Sequence, residues 1–487
     1  MSINTKTLYL WPEQASKIIK EKGLDVKELK RMFKFISFPW NNNYDFHRNY
    51  YSERIQQNPL FIIDVISIEE IESILNYVYE NNLTIRICTG RHSTQLLSPD
   101  VLVDISKIDY IKIKDNILVV GGGATQGSAN EYVFENLNKH NDSNCLHANF
   151  GHINYGSSSQ FPGGSSASVG VSGISGCGGI GTLRRTFGLT IDSIISFKLT
   201  LPPTQNEKAK TIKVTTNSYT DLFWAICGGT ANNFGIVSEI KYKLFQVNDI
   251  IKYSITWPFS QAKQVINLWE KNAPELSNQF TEDINLSVHK DINGIGLSGF
   301  YVLASGQSKK DAEKDIKNNL KYLGGELTLT YDTYSNTYLN LVKNRTYDNF
   351  SIIQAIFVDT IQTDLLIEAI QVAKSLINSE VSINIELLGG KIKEGDTGSF
   401  SFRNSKFFID LTCKWNNLID SQSNQKWINE YFEKIFNKSN GVYIGFPITF
   451  TNIQYTNKVY YPNSYKKLLK IKNKYDPEKI LTYTGPL

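Results

Sequence analysis

The segment Arg86-Ile-Cys-Thr-Gly-Arg-His92-Ser93 gathers two guanidinium groups, two hydroxyls and an imidazole on one short stretch. Gly90 lets the backbone approach a ligand closely, Thr89 and Ser93 supply hydroxyls, and the flanking amides can form a nest for an anion. Arg86 and Arg91 carry the charge to neutralise phosphate. His92 has three readings at this level: a buried structural histidine, a catalytic base, or a point of attachment. Other glycine turns strengthen the case for a ligand. Gly121-Gly-Gly-Ala124, Phe161-Pro-Gly-Gly-Ser-Ser166, and Gly228-Gly229 ahead of Asn233-Phe-Gly235 are far apart in the chain. Such a distribution suggests one extended ligand threaded between loops, not the single strand–turn–helix fingerprint of a doubly wound dinucleotide fold.

Asp410 offers a different chemistry. It interrupts the apolar run 407–411, where a charge is costly unless solvated, paired or functional. Strand periodicity puts it on the same face as Phe408 and Thr412. A solvent-facing position and a proton acceptor both fit that pattern.

The elements that must hold these residues follow from periodicity. Residues 60–65 and 83–87 read as strands around a helix at 68–81, whose apolar positions are Ile71, Ile74, Leu75 and Val78. Strands are expected at 101–104 and 117–120, then a helix at 126–138. Residues 151–188 hold eleven glycines among Phe161, Val169, Val171, Ile174, Ile180 and Phe187. A flexible spacer would not carry those side chains, so an ordered loop against a ligand is expected. Further strands are expected at 191–201, 211–214 and 236–245. Beyond residue 246 the strand patterns 295–303, 351–358, 381–388 and 406–412 alternate with helices at 260–271, 309–320, 364–378 and 425–436. Half-polar strands between helices suggest an antiparallel sheet covered on one face. The expected division is an N-terminal preface (1–58), a cofactor-binding part (59–245), a substrate-binding part (246–440) and a C-terminal segment (441–487).

Composition excludes several classes. The chain has 487 residues and a formal charge of +4, too small to argue for nucleic acid. Seven lysines between 458 and 479 fall at helical spacing and are expected on a solvated helix face. Five scattered cysteines define no disulfide framework, and six dispersed histidines make no metal set. No secretory leader or membrane-spanning run is evident, so an intracellular, cytoplasmic protein, monomeric or homodimeric, is expected.

Several blocks, in order, carry a resemblance to the berberine bridge enzyme-like branch of the FAD-linked oxidases, with its vanillyl-alcohol-oxidase (PCMH) type of FAD domain. Residues 86–93 resemble the family's R-x-x-S-G-G-H loop, and Gly122-Gly-Ala-Thr125 its G-A-T turn. Residues 161–181 with Phe187-Gly-Leu-Thr-Ile-Asp192 are similar to its glycine-rich flavin loop. Asp221-Leu-Phe-Trp-Ala-Ile-Cys-Gly-Gly229 with Asn233-Phe-Gly-Ile-Val237, and Tyr475-Asp-Pro477, complete the likeness. It implies an α+β fold: a two-part FAD-binding domain plus a substrate domain whose antiparallel sheet is covered by helices. It also implies an FAD-dependent oxidase passing a hydride from an alcohol, sugar or natural product to covalent flavin, with dioxygen as the final acceptor. The alternatives are a dehydrogenase with another acceptor and a non-catalytic flavin-binding protein.

Residue by residue, the resemblance assigns cofactor contacts to Arg86, Thr89, Gly90, Arg91, His92 and Ser93, and to Gly122, Ala124 and Thr125. From the long loop it adds Pro162, Gly163, Gly164, Ser166, Ser168, Gly170, Gly173, Cys177 and Gly181. The last block contributes Asn233, Gly235, Ile236 and Val237. His92 matches the histidine linked to the flavin 8α-methyl carbon. Arg91 stands where a second glycine is usual. Ser166 replaces the cysteine of a second link, and Cys177 lies too far along to substitute, so one link through His92 is expected. Ile174 replaces a histidine. Residues 402–415 resemble the strand whose glutamine or carboxylate faces the flavin across the substrate, which makes Asp410 the proposed base. Tyr443, in Gly441-Val-Tyr-Ile-Gly-Phe-Pro447, is a candidate substrate-side phenol.

Overall fold

The computed structural model describes residues 5–50, 52, 57–93, 98–138, 158–160, 163–164, 166–247, 249–289, 292–332, 350–376, 378–448, 457–482 and 487. Phe61–Asp64, Val101–Asp104 and Ile85–Cys88 form a parallel sheet with an antiparallel edge, Ile36–Ser37. All three parallel strands are buried along their length, as expected of a parallel sheet covered on its faces. The crossover helix Ile68–Glu80 starts at Ser67, whose hydroxyl accepts from the Glu70 amide, and buries the expected stripe Ile71, Ile74, Leu75 and Val78.

A second sheet of five antiparallel strands has the order Ile111–Lys114, Ile117–Gly121, Ile236–Lys243, Ile194–Leu201, Lys210–Thr215. The helix expected at 126–138 is divided into the α-helix Gln126–Val133 and a π-turn, Phe134–Asn138. Asn130 and Asn136 turn their side-chain amides back onto the carbonyls of Gln126 and Tyr132, a competition with the regular ladder that sequence periodicity does not register.

The third sheet has eight antiparallel strands. Their order is Thr328–Asp332, Ile250–Pro258, Ile292–Val302, Phe280–His289, Ser379–Leu387, Phe407–Trp415, Phe350–Val358, Gly441–Val442. Four of these match the expected strand patterns. Phe280–His289 was hidden because Glu282 takes a place on its apolar face with Phe280, Ile284 and Leu286. Helices Ala262–Asn272, Thr363–Ala373 and Ser421–Phe436 cover one face. Phe407 meets Trp269 there at 5.3 Å between ring centroids, and Trp415 Nε1 donates to Ser421 Oγ at 2.9 Å. The even-numbered residues of Phe407–Trp415 consequently face the other way.

Two adjacent arginines lock this sheet to the glycine-rich half. Arg184 Nε donates to the Leu387 carbonyl at 2.9 Å, and its guanidinium pairs with Asp283 and with Glu386, the latter at 3.3 Å. Arg185 donates to the carbonyls of Phe280 and Leu276 at 2.8 and 2.6 Å. Beside them Glu282 is fully buried and accepts from Tyr253 Oη and Trp269 Nε1. Burial pushes its carboxyl up from 4.5 to about 7, against the opposing pull of Tyr253, Trp269 and Arg185. The folded protein therefore holds an extra proton between those values. Stability from this group is complete below the unfolded pKa and is lost as pH rises through the folded one. Glu282→Gln removes the titration and keeps an acceptor for Trp269. From about pH 4 to about pH 8, denaturant unfolding should show the stability difference moving in the variant's favour by roughly 3 kcal/mol. A difference that does not change with pH would mean that Glu282 titrates in the fold as it does in the unfolded chain.

Candidate active site and cofactor cleft

Glycine-rich loops and the helix-free face of the third sheet enclose a cavity of about 650 Å³, a size typical of small-molecule and cofactor sites. The loops meet through missing side chains. A Cβ at Gly90 would stand 2.1 Å from the Ser168 carbonyl oxygen, and one at Gly170 would stand 1.9 Å from the Thr89 hydroxyl. With the loops in contact, His92 Nε2 lies 2.8 Å from Ser168 Oγ. Arg86 Nη2 donates to Ser93 Oγ at 2.8 Å, and its guanidinium sits 5.4 Å from the ring centre of Tyr50. Tyr50 belongs to the supposed preface yet lines the cavity; one tyrosine among 26 gave the sequence no pattern to reveal it.

Arg91 keeps the turn by adopting a left-handed backbone, φ 56°. Its guanidinium pairs with Asp104 and reaches the carbonyls of Phe46 and Asn49, each at 3.4 Å. Burial works against the charge, but Cys88 and Asp104 more than offset it. The positive charge is thus largely compensated within the protein.

From the long loop, Gly164, Ser166, Gly170, Gly173 and Cys177 line the cavity. Gly163 stands behind, in backbone contact with Gly181. Pro162 lies outside the described residues. Cys177 is a free thiol whose pKa burial pushes up to about 12, with Thr230 pulling slightly the other way. It is a weak nucleophile near neutral pH. The remaining predicted contacts support the cavity from behind. Gly122 abuts the Val237 carbonyl, and Gly235 packs on Leu199 and Thr200. Thr125 caps the next helix, Ala124 is buried, and Ile236 begins the central strand. Asn233 turns inward, its Nδ2 donating to the Gly229 carbonyl at 2.8 Å, while Thr230 and Asn232 line the cavity instead.

Gln126, which the sequence did not single out, also lines this wall. Its Oε1 accepts from the Gly164 amide, whereas its buried Nε2 has no partner among the described residues. Gly173 faces the cavity: a Cβ there would meet none of the described residues within 4 Å. An orphaned donor, a glycine cradle and an imidazole beside it fit FAD.

The opposite wall is the sheet. Asn384 is paired in register with Asp410, Ser382 with Thr412, and Glu386 with Phe408, and all six line the cavity. Asn384 Nδ2 and Thr412 Oγ1 donate to Asp410 Oδ1 at 3.1 and 3.0 Å. With Asp410 only 8% exposed, the solvent-facing alternative does not hold. Ser382, Asn384 and Glu386 were missed, although their period-two alternation with Val381, Ile383, Ile385 and Leu387 is visible in the sequence. Tyr443 also lines the cavity, edge-on to Phe408 at 5.5 Å. Its ring lies on Gly445, where a Cβ would come within 2.3 Å of it. Burial, with Cys177 and Glu386 nearby, raises the phenol well above its usual pKa of 10, so Tyr443 stays protonated. Among the described residues no cluster of three metal-ligating side chains occurs, and no helix is long and apolar enough to cross a membrane.

A two-domain FAD-binding architecture of the vanillyl-alcohol-oxidase (PCMH) type is what these sheets and this cleft define. A chitooligosaccharide oxidase superposes with a TM-score of 0.77 at 15% identity, over 97% of this chain and 98% of that one. The glucooligosaccharide oxidase of Acremonium strictum, described with a 6-S-cysteinyl, 8α-N1-histidyl FAD, superposes with a TM-score of 0.77 at 18% identity, over 93% and 97%. In sequence, the uncharacterized FAD-linked oxidoreductase YgaK of Bacillus subtilis is 25% identical, covering 88% of this chain and 91% of its own. Berberine bridge enzyme-like D-1 of Nicotiana tabacum is 24% identical, with 86% and 81% covered. No family profile matches the chain. In sequence the chain is similar, over most of its length, to FAD-linked oxidoreductases and berberine bridge enzyme-like proteins.

Proposed function

We propose that the protein is an FAD-dependent oxidase whose flavin is attached through His92 alone and whose substrate is a hydroxylated small molecule. The observation that carries this reading is the pairing of two walls across one cavity: the glycine loops with His92, and a sheet face with Asp410. When bound, FAD supplies a two-electron acceptor that takes a hydride from the substrate carbon and is restored by dioxygen with release of hydrogen peroxide. Residues 59–245 hold that cofactor, and residues 246–440 present the substrate.

Arg86, Ser93 and the amides around Gly90 and Gly164 hold the cofactor's polar groups. Asp410 accepts the proton of the substrate hydroxyl, while Asn384 and Thr412 fix its carboxylate through Oδ1. Tyr443 orients the substrate as a neutral hydrogen-bond donor. Serine at 166 cannot form a thioether, and Cys177 is held as a thiol, which supports a single attachment. Ser382, Asn384 and Glu386 offer hydrogen bonds to further hydroxyls, which favours polyhydroxylated substrates such as saccharides.

The test is a panel of mono- and oligosaccharides, secondary alcohols and amines added anaerobically to the purified holoprotein. A hydroxylated member should bleach the flavin absorbance. Admitting oxygen should restore it with one peroxide per flavin. Bleaching by an amine alone would replace the substrate assignment, and bleaching that oxygen fails to reverse would replace the acceptor.

A further inference from the structure

We infer that Gln126 is a cofactor-binding residue whose side-chain Nε2–H donates to a carbonyl oxygen on the pyrimidine ring of the flavin; this rests on the reading of the cavity as the FAD site. Gln126 is wholly buried, yet it lines the cavity. Its backbone is pinned at both ends. The amide N–H donates to the Val169 carbonyl at 2.9 Å, and the Gln126 carbonyl accepts from Asn130 Nδ2 at 2.8 Å. The side chain is oriented as well. The Gly164 amide can only donate, so the terminal atom it meets is Oε1, and the other terminal atom carries the two amide hydrogens. That nitrogen has no partner among the described residues. A buried donor left unmet is costly, so an acceptor on the bound ligand is expected opposite it.

The surroundings select the kind of acceptor. A Cβ built at Gly164 would stand 2.7 Å from Ile174 Cδ1 and 3.1 Å from Gln126 Nε2, so the donor lies beside a methyl group. Ile174 stands where the resembled loop has a histidine, and its side chain offers no hydrogen bond. An uncharged donor next to an apolar side chain suits a neutral acceptor, whereas a pyrophosphate calls for cations. Arg86, on the strand Ile85–Cys88, supplies that charge to the cavity. On the isoalloxazine the neutral acceptors best suited to an amide N–H are the carbonyl oxygens of the pyrimidine ring, at C2 and C4. A hydrogen bond there draws electron density towards that ring, so Gln126 also favours the reduced flavin.

The test measures reversible flavin binding by calorimetry on full-length His92→Ala apoprotein from riboflavin-depleted cells, with Gln126 intact or replaced by Leu. The probes are FAD, 2-thio-FAD and 4-thio-FAD, because a thiocarbonyl is a much poorer acceptor than a carbonyl. Gln126→Leu should weaken FAD binding about 10-fold. It should leave nearly unchanged the affinity for one thio analogue, the one altered at the contacted carbonyl, a coupling that cancels any disturbance at Gly164. With Gln126 intact, that same analogue should bind about 10-fold more weakly than FAD, a comparison that needs no variant at position 126. Equal weakening of all three flavins by Gln126→Leu, or no weakening, would overturn the inference and leave the FAD site standing. Apoprotein with His92 present that takes up no FAD would overturn both.

Discussion

Asp410→Asn should slow anaerobic flavin reduction by about 10²- to 10⁴-fold, equivalent to roughly 3–5 kcal/mol of transition-state stabilisation. The replacement keeps an oxygen where Oδ1 now accepts from Asn384 and Thr412, so the strand and the bound flavin should survive. What the replacement removes is the proposed proton acceptor. Tyr443→Phe should cost less, because the ring packing against Phe408 and Phe446 is retained and the phenol acts only as a donor. Stopped-flow absorbance with a substrate that bleaches the wild type isolates this half-reaction from oxygen chemistry. Equal reduction rates for wild type and Asp410→Asn would transfer the proton to another acceptor and reduce Asp410 to a structural residue.

Lys472→Met should destabilise the protein by about 3–5 kcal/mol, the usual penalty for removing one partner of a buried ion pair. Lys472 Nζ lies 2.7 Å from Asp476 Oδ2, and both side chains are almost wholly enclosed. The same ammonium donates to the Asn233 carbonyl at 2.6 Å. Asp476 accepts from the amides of Ile480 and Leu481 at 2.9 and 3.0 Å. Burial lowers the lysine pKa and Asp476 opposes the shift. One pair thus closes the C-terminal segment onto the loop that follows Gly228-Gly229. The single variant leaves Asp476 buried without its cation, whereas Lys472→Met with Asp476→Asn removes both charges and should recover part of the loss. Denaturant unfolding of the three proteins would reveal this non-additivity. A single variant as stable as wild type would show that the pair is dispensable.

Lys472 also marks a limit of sequence periodicity. The seven lysines near the C-terminus look like one solvated helix face, and most of the helix Tyr465–Tyr475 obeys that pattern. Lys472 instead falls on the buried stripe with Leu468 and Ile471, four residues before its partner Asp476. Charge pattern gives no warning of a pair buried by tertiary packing. The same mechanism hid the strand Phe280–His289, whose acidic residues face Arg184 and Arg185 from another part of the chain. What periodicity could show, it showed: the crossover helix at 68–80, the antiparallel sheet and the face shared by Phe408, Asp410 and Thr412. The glycine turns pointed to one extended ligand, and three of the four predicted segments do reach one cavity, with Gly121-Gly-Gly-Ala124 lying behind it. Gln126 and Tyr50 could be placed only once strands and loops were registered against one another, because a lone polar residue carries no period; Asn384 and Glu386 do alternate visibly with Ile383, Ile385 and Leu387.

The proposed function has the flavin joined to the chain at His92 and nowhere else. Peptide mapping by mass spectrometry of the denatured, purified full-length protein tests it most directly. One flavin per chain is expected, on the peptide containing His92, with the peptides of Ser166 and Cys177 unmodified. Flavin on the Cys177 peptide, or a bare polypeptide mass from protein that also fails to take up added FAD, would contradict it.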